Sequence, residues 1–106
     1  MNQLELIAKL EEFSLYNLEV ARSKNSDYAK GDDAFANFRS VERHGLSVGQ
    51  GFMVRMEDKM SRLGNLLQRP AAVKDETLKD TALDLANYAM LLAAWWEYEH
   101  SGRGTL

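Results

Sequence analysis

The stretch that decides the fold is DETLKDTALDLANYAMLLAAWWEYE, Asp75 to Glu99. Asp75 suits the N-cap of a helix, and Glu76 complements that helix's positive end. Between Leu83 and Trp96 the segment is apolar on nearly every face, through Leu85, Ala86, Tyr88, Ala89, Met90, Leu91 and Leu92. A helix that buries one stripe does not need so much apolar surface. The pattern therefore predicts a central helix, covered partly by its own bundle and partly by another subunit. Trp95 and Trp96 are consecutive and must point in different directions, consistent with two burial environments. A homodimer or a homotetramer built as a dimer of dimers is the expected assembly.

Working back from that helix, Ser47 and Gln50 have the S-x-x-Q spacing of a capping box. A second long helix is expected from there to about Gln68, before Pro70, with Gly49 and Gly51 allowing close helix approach. Its stripe Met53, Met56, Met60, Leu63 and Leu67 suits a core. Arg55, Asp58, Lys59 and Arg62 form another stripe, which periodicity reads as a solvated face with local ion pairs such as Asp58 with Arg62. A short helix from Ala34 to His44 is expected, closed by Gly45. The polar run KNSDYAKGDD, Lys24 to Asp33, has loop chemistry. Before it, Asn2 to Ser23 reads as a helix with Leu6, Leu10, Phe13 and Asn17 at helical spacing. The expected fold is an all-α bundle of three long helices and one short one, a single domain over residues 1–106, fraying from about residue 101.

Composition fits that fold. The 106 residues contain one proline and no cysteine, with a formal net charge of −3. Cysteine-based zinc, disulfide and thiolate chemistry are thereby excluded, and a cytoplasmic protein is expected. The start MNQLELIAKLEEF lacks the basic region and apolar core of a secretory signal, and the apolar part of the last helix is too short for a membrane span. Neither a membrane nor direct nucleic-acid binding is expected, because basic residues are not clustered. No Walker loop, serine nucleophile elbow or HExxH zinc motif occurs.

The charged residues of the last helix carry the functional question. Glu76, Asp80, Asp84, Asn87 and Tyr88 recur at three- or four-residue spacing and share a face. Asp84 and Asn87 stand within otherwise apolar surroundings, where a carboxylate needs a cation, a metal or donors. An Asp84 ion pair with Arg or Lys that fixes register satisfies this. So does a divalent metal held by Asp80 and Asp84, with Asn87 adding a neutral oxygen and Mg²⁺ or Mn²⁺ suiting the hard ligands. Spacing leaves both open. A second group, Lys24, Asp27, Tyr28, Phe35, Asn37 and Phe38, has the residue types that meet phosphate, sugar and base, though aromatics beneath a loop more often belong to a satellite core, as Phe35 and Phe38 are expected to at least in part. His44 reads as part of a helix end, and His100 has no obvious partner.

KNSDY, DDAFANF, VRMEDKMSRLGNLL and KDETLKDTALDLANYAMLL, in that order, resemble the nucleotide modification associated domain, type one. That family is common in bacteriophages and is related to MazG-like all-alpha nucleoside triphosphate pyrophosphohydrolases. The resemblance spans roughly Lys24 to Ala94. It implies a nucleotide pocket in which Asp58, Lys59 and Arg62 face Asp80, Asp84, Asn87 and Tyr88, completed by Lys24, Asp27, Tyr28, Asn37 and Phe38. It further implies Asp58 and Asp84 as catalytic acids and Asp58, Asp80 and Asp84 as ligands of Mg²⁺ or Mn²⁺. Relative to the two acidic pairs of MazG-like enzymes, Asn87 stands where an aspartate is expected, and Ser61 and Arg62 replace a second acid on the earlier helix. Lys59 and Arg62 are then placed to meet phosphate directly. A non-catalytic nucleotide-binding or anti-defence protein using the same pocket is the alternative.

Overall fold

In the computed structural model, the described residues are 1–28, 33–69 and 75–101, the side chains of 25–28 and 75–76 aside. They form helix α1 (Gln3–Tyr28), a 3₁₀ helix (Ala36–His44), α2 (Val48–Leu67) and α3 (Asp75–Ser101), with no strand among them. The all-helical class and the count of three long helices and one short one are as the sequence predicts. None of the helices is long and apolar enough to cross a membrane.

Local chemistry explains the starts of α1 and α2 and the end of the 3₁₀ helix. Asn2 starts α1: its Oδ1 accepts the Glu5 N–H at 2.9 Å and its carbonyl accepts the Leu6 N–H at 3.0 Å. α1 then continues through Lys24–Tyr28, where a loop was expected. Lys, Asn, Ser and Asp cost a helix only a few tenths of a kcal/mol each, so an established helix propagates across them. The capping box at Ser47 is complete, with the Gln50 N–H donating to Ser47 Oγ at 3.0 Å and the Ser47 N–H to Gln50 Oε1 at 2.8 Å. Gly45 closes the 3₁₀ helix at φ 79°, a left-handed conformation glycine adopts without a Cβ penalty. Asp75 is the first helical residue of α3, whereas the sequence had suggested it as the cap before one. Pro70 and the tail from residue 102 lie outside the described residues.

α2 and α3 run antiparallel and make the main contact of the molecule, while the 3₁₀ helix packs on α2 and α1 touches α3. Lys59 meets Asp84 at one end of the pair and Gly49 meets Trp95 at the other. Glycine at 49 permits this close approach, because a Cβ would overlap the edge of the Trp95 ring. The buried core is small: Phe35, Val48 and Phe52, with Phe38, Tyr88, Leu91, Leu92 and Trp95 partly buried around it. Aromatic contacts dominate it. Phe52 meets the rings of Phe38 at 4.9 Å, Tyr88 at 6.3 Å and Phe35 at 6.5 Å.

The expected core stripe of α2 is only half inward. Met56 and Leu63 are half-buried, but Met53, Met60 and Leu67 are exposed, and Phe52 takes the central place. The arc that meets α3 is centred near Phe52 and Lys59, so the methionines at the stripe's far edge miss it. On α1, Leu6 and Leu10 are likewise exposed, Phe13 is half-buried and Asn17 is buried.

Candidate functional site

α2 positions Lys59 toward α3, where its Nζ meets Asp84 Oδ2 at 2.9 Å, each side chain about a third exposed. Asp84 is thus paired with a lysine here, the ion-pair alternative of the two that spacing leaves open. One helical turn toward the N-terminus of α2, the Arg55 guanidinium lies over the Tyr88 ring at 5.9 Å from its centroid. Tyr88 in turn rests on Phe52. Four residues from facing helices thus place a cation, a carboxylate and an aromatic face side by side. Arg55 entered the sequence reading only as one member of a charged stripe. Its distance of three or four residues from Lys59 on α2, matching Asp84 to Tyr88 on α3, was the signal that joins the two pairs.

The other expected residues are distributed around this cluster. Asp58, Arg62 and Asp80 are exposed, and no ion pair joins Asp58 to Arg62 among the described residues. Asn87 and Tyr88 are half-buried on α3. Asn37 is exposed on the 3₁₀ helix, while Phe38 is half-buried against Phe52 and serves the core. Lys24 is exposed near the end of α1. The side chains of Asp27 and Tyr28 lie outside the described residues. Among the described residues no three Asp, Glu or His side chains gather as a metal group. Asp58, Asp80 and Asp84 therefore do not form a joint ligand set in this arrangement, and Asp84 faces an ammonium.

A second polar cluster ties the 3₁₀ helix to its surroundings. Arg39 bonds to Asp33 and reaches Glu42 at 3.4 Å and Glu99 of α3 at 3.6 Å. Its hydrogen bond to Asp33, reinforced by the charges of Asp33, Glu42 and Glu99, pushes the guanidinium pKa up despite opposing desolvation. The same bond, with the Phe35 N–H donating to Asp33 Oδ1 at 3.0 Å, holds the Asp33 carboxyl below the usual carboxylate range. These contacts orient Phe35 and read as structural.

His100 does have a partner, contrary to expectation. Its Nδ1 lies 2.7 Å from the Trp96 carbonyl and its ring stacks on Trp96 with centroids 3.6 Å apart. Compared with protein-family models, with curated proteins and with solved structures, the chain matches none.

Proposed function

We propose that the chain is a nucleotide-handling protein whose phosphate-binding groups are Lys59 and Arg62, aided by Arg55, at the α2–α3 junction. The observation that carries this reading is the Lys59–Asp84 pair beside the Arg55–Tyr88 contact. A pair with both partners a third exposed contributes about 1 kcal/mol or less. Charge-assisted bonds from Lys to a phosphate are stronger than that, so an incoming nucleotide can take Lys59 from Asp84. Tyr88 offers its ring beneath Arg55, one turn along α3 from Asp84. Lys24 and Asn37, with Asp27, Tyr28 and Phe38, belong to the proposed pocket by the motif resemblance alone.

Hydrolysis of a nucleoside triphosphate to monophosphate and pyrophosphate is the second reading, favoured by a carboxylate at Asp84 that is about a third exposed and whose present partner is exchangeable. Mg²⁺ or Mn²⁺ is its proposed cofactor. Among the described residues no three such donors are gathered, so the arrangement as it stands does not fit a resident metal. The proposal includes assembly as a homodimer or homotetramer, with a cytoplasmic setting.

The deciding experiment incubates the protein with a panel of nucleoside triphosphates and reads both melting temperature and pyrophosphate. Nucleotide-dependent stabilisation that is lost in Lys59→Ala is expected. Pyrophosphate release abolished by EDTA and by Asp84→Asn selects the hydrolytic reading. Absence of both stabilisation and release across the panel sinks nucleotide handling.

A further inference from the structure

The ammonium of Lys59 is held by an anion that the chain itself supplies. Its Nζ lies 2.9 Å from Asp84 Oδ2, and each side chain is about a third exposed. A phosphate would present the same kind of charged oxygen to that nitrogen, at the same distance. Water reaches both partners, so a dissolved anion can approach Nζ without the helices parting. The packing of α2 on α3 does not depend on the pair. Val48 and Phe52 are each 1% exposed and pack with Tyr88, Leu91 and Trp95. Lys59 has a flexible four-carbon stem and can swing while those contacts stay closed.

The cations beside Lys59 are held differently. Arg55, one turn back along α2, lies over the Tyr88 ring, and Tyr88 is seated on Phe52. An aromatic face attracts a guanidinium but leaves its positive charge uncancelled. Arg62 is exposed, as is Asp58 on the same stripe, and neither has an ion pair among the described residues. Lys59 is therefore the cation of this row that a carboxylate from α3 neutralises. An anion that draws Lys59 away leaves Asp84 beside it, a like charge in a partly shielded place. That repulsion and the lost pair both oppose binding.

We infer that Asp84 is an internal competitor for the phosphate group, occupying Lys59 in the unliganded protein and weakening any anion that displaces it. The inference rests on the phosphate-binding reading above and adds what limits the affinity of that site. It also gives Asp84 a sign. As a competitor Asp84 acts against the ligand, whereas a carboxylate that bound the ligand through a metal would act for it. Neutralising Asp84 moves affinity in opposite directions in the two cases.

The test measures binding of inorganic triphosphate by calorimetry, in EDTA and about 0.15 M salt, where distant charges are screened. The unaltered chain is compared with Asp84→Asn and with Asp80→Asn, which removes the same charge from an exposed position one turn away. Asp84→Asn should bind about five- to tenfold tighter, the worth of a part-exposed pair with the repulsion it removes. Asp80→Asn should stay within about twofold of the unaltered chain. Equal gains in the two variants, or no gain in Asp84→Asn, overturn the competitor and leave phosphate binding standing. If triphosphate binds none of the three, the inference falls, and nucleotide-dependent melting then judges the wider reading separately. Should Asp84→Asn fail to fold, the Asp84 carboxyl ¹³C signal of the unaltered chain decides. It should shift as triphosphate saturates the protein, and a signal that stays fixed overturns the inference.

Discussion

α1 and the α2–α3 pair are both long, apolar-rich helical segments, yet they are held in very different ways. α2 and α3 close on each other through Phe52, Val48, Tyr88, Leu91 and Trp95, with Phe35 just before the 3₁₀ helix and Phe38 within it added to them. α1 leaves Leu4 82%, Leu15 68% and Tyr16 53% exposed, and among its described side chains the one that is buried is polar, Asn17. Asn17 Nδ2 donates to the Leu83 carbonyl of α3 at 3.1 Å. The difference teaches that helical periodicity alone does not measure tertiary attachment: one segment is fixed by aromatic interlocking, the other by a hydrogen bond and an edge of contact.

The largest expected effect breaks the aromatic side of that comparison. Phe52→Ala removes a side chain only 1% exposed and in contact with three rings. It should cost about 3–5 kcal/mol, read as a loss of cooperative unfolding in urea. With so small a core, a change under 1 kcal/mol would show that the aromatic cluster does not hold the pair. Next in size is Gly49→Ala, whose new methyl collides with the Trp95 ring. A cost of about 1–3 kcal/mol is expected, with a shift in tryptophan fluorescence as the indole moves.

The third prediction sharpens the contrast from the α1 side. Asn17→Ala should lower stability by about 1 kcal/mol, the net worth of one hydrogen bond. Hydrogen exchange should quicken in α1 and stay unchanged in α2 and α3. Equal quickening in all three would mean that α1 is as integral as the others. The smallest effect concerns the link at Asp33. Its pKa is lowered in the folded protein by Arg39 and by the Phe35 N–H, so the stability it contributes is present above the unfolded value near 4 and lost as pH falls through the folded value. Asp33→Asn should therefore be slightly less stable near neutrality and should lose less of its stability below about pH 4 in a pH series of melting temperatures. An unchanged acid response would assign that loss to other carboxylates.

Much of the architecture was legible because it depends on neighbours in sequence. Ser47 and Gln50 are three residues apart, and Gly45 ends the 3₁₀ helix by its own φ, so both caps could be read directly. Lys24–Tyr28 misled because polar composition resembles a loop, while continuation of a helix depends on the turn already formed before it. Asp84 was legible as a charge needing a partner; that the partner is Lys59 depended on the register of α2 against α3. The same register explains why the Met53, Met60 and Leu67 row missed the core that Phe52 entered.

The sequence by itself determined the all-helical class, the caps at Gly45 and Ser47 and the need to satisfy Asp84, since propensity, capping and the cost of desolvating a charge act over a few residues or on one side chain. Only the tertiary structure decided which face of each helix is covered, that Arg55 sits over Tyr88, and that α1 attaches through Asn17. Those outcomes depend on the rotation and height at which two helices meet, and a rotation of one residue, about 100°, carries a side chain from core to water.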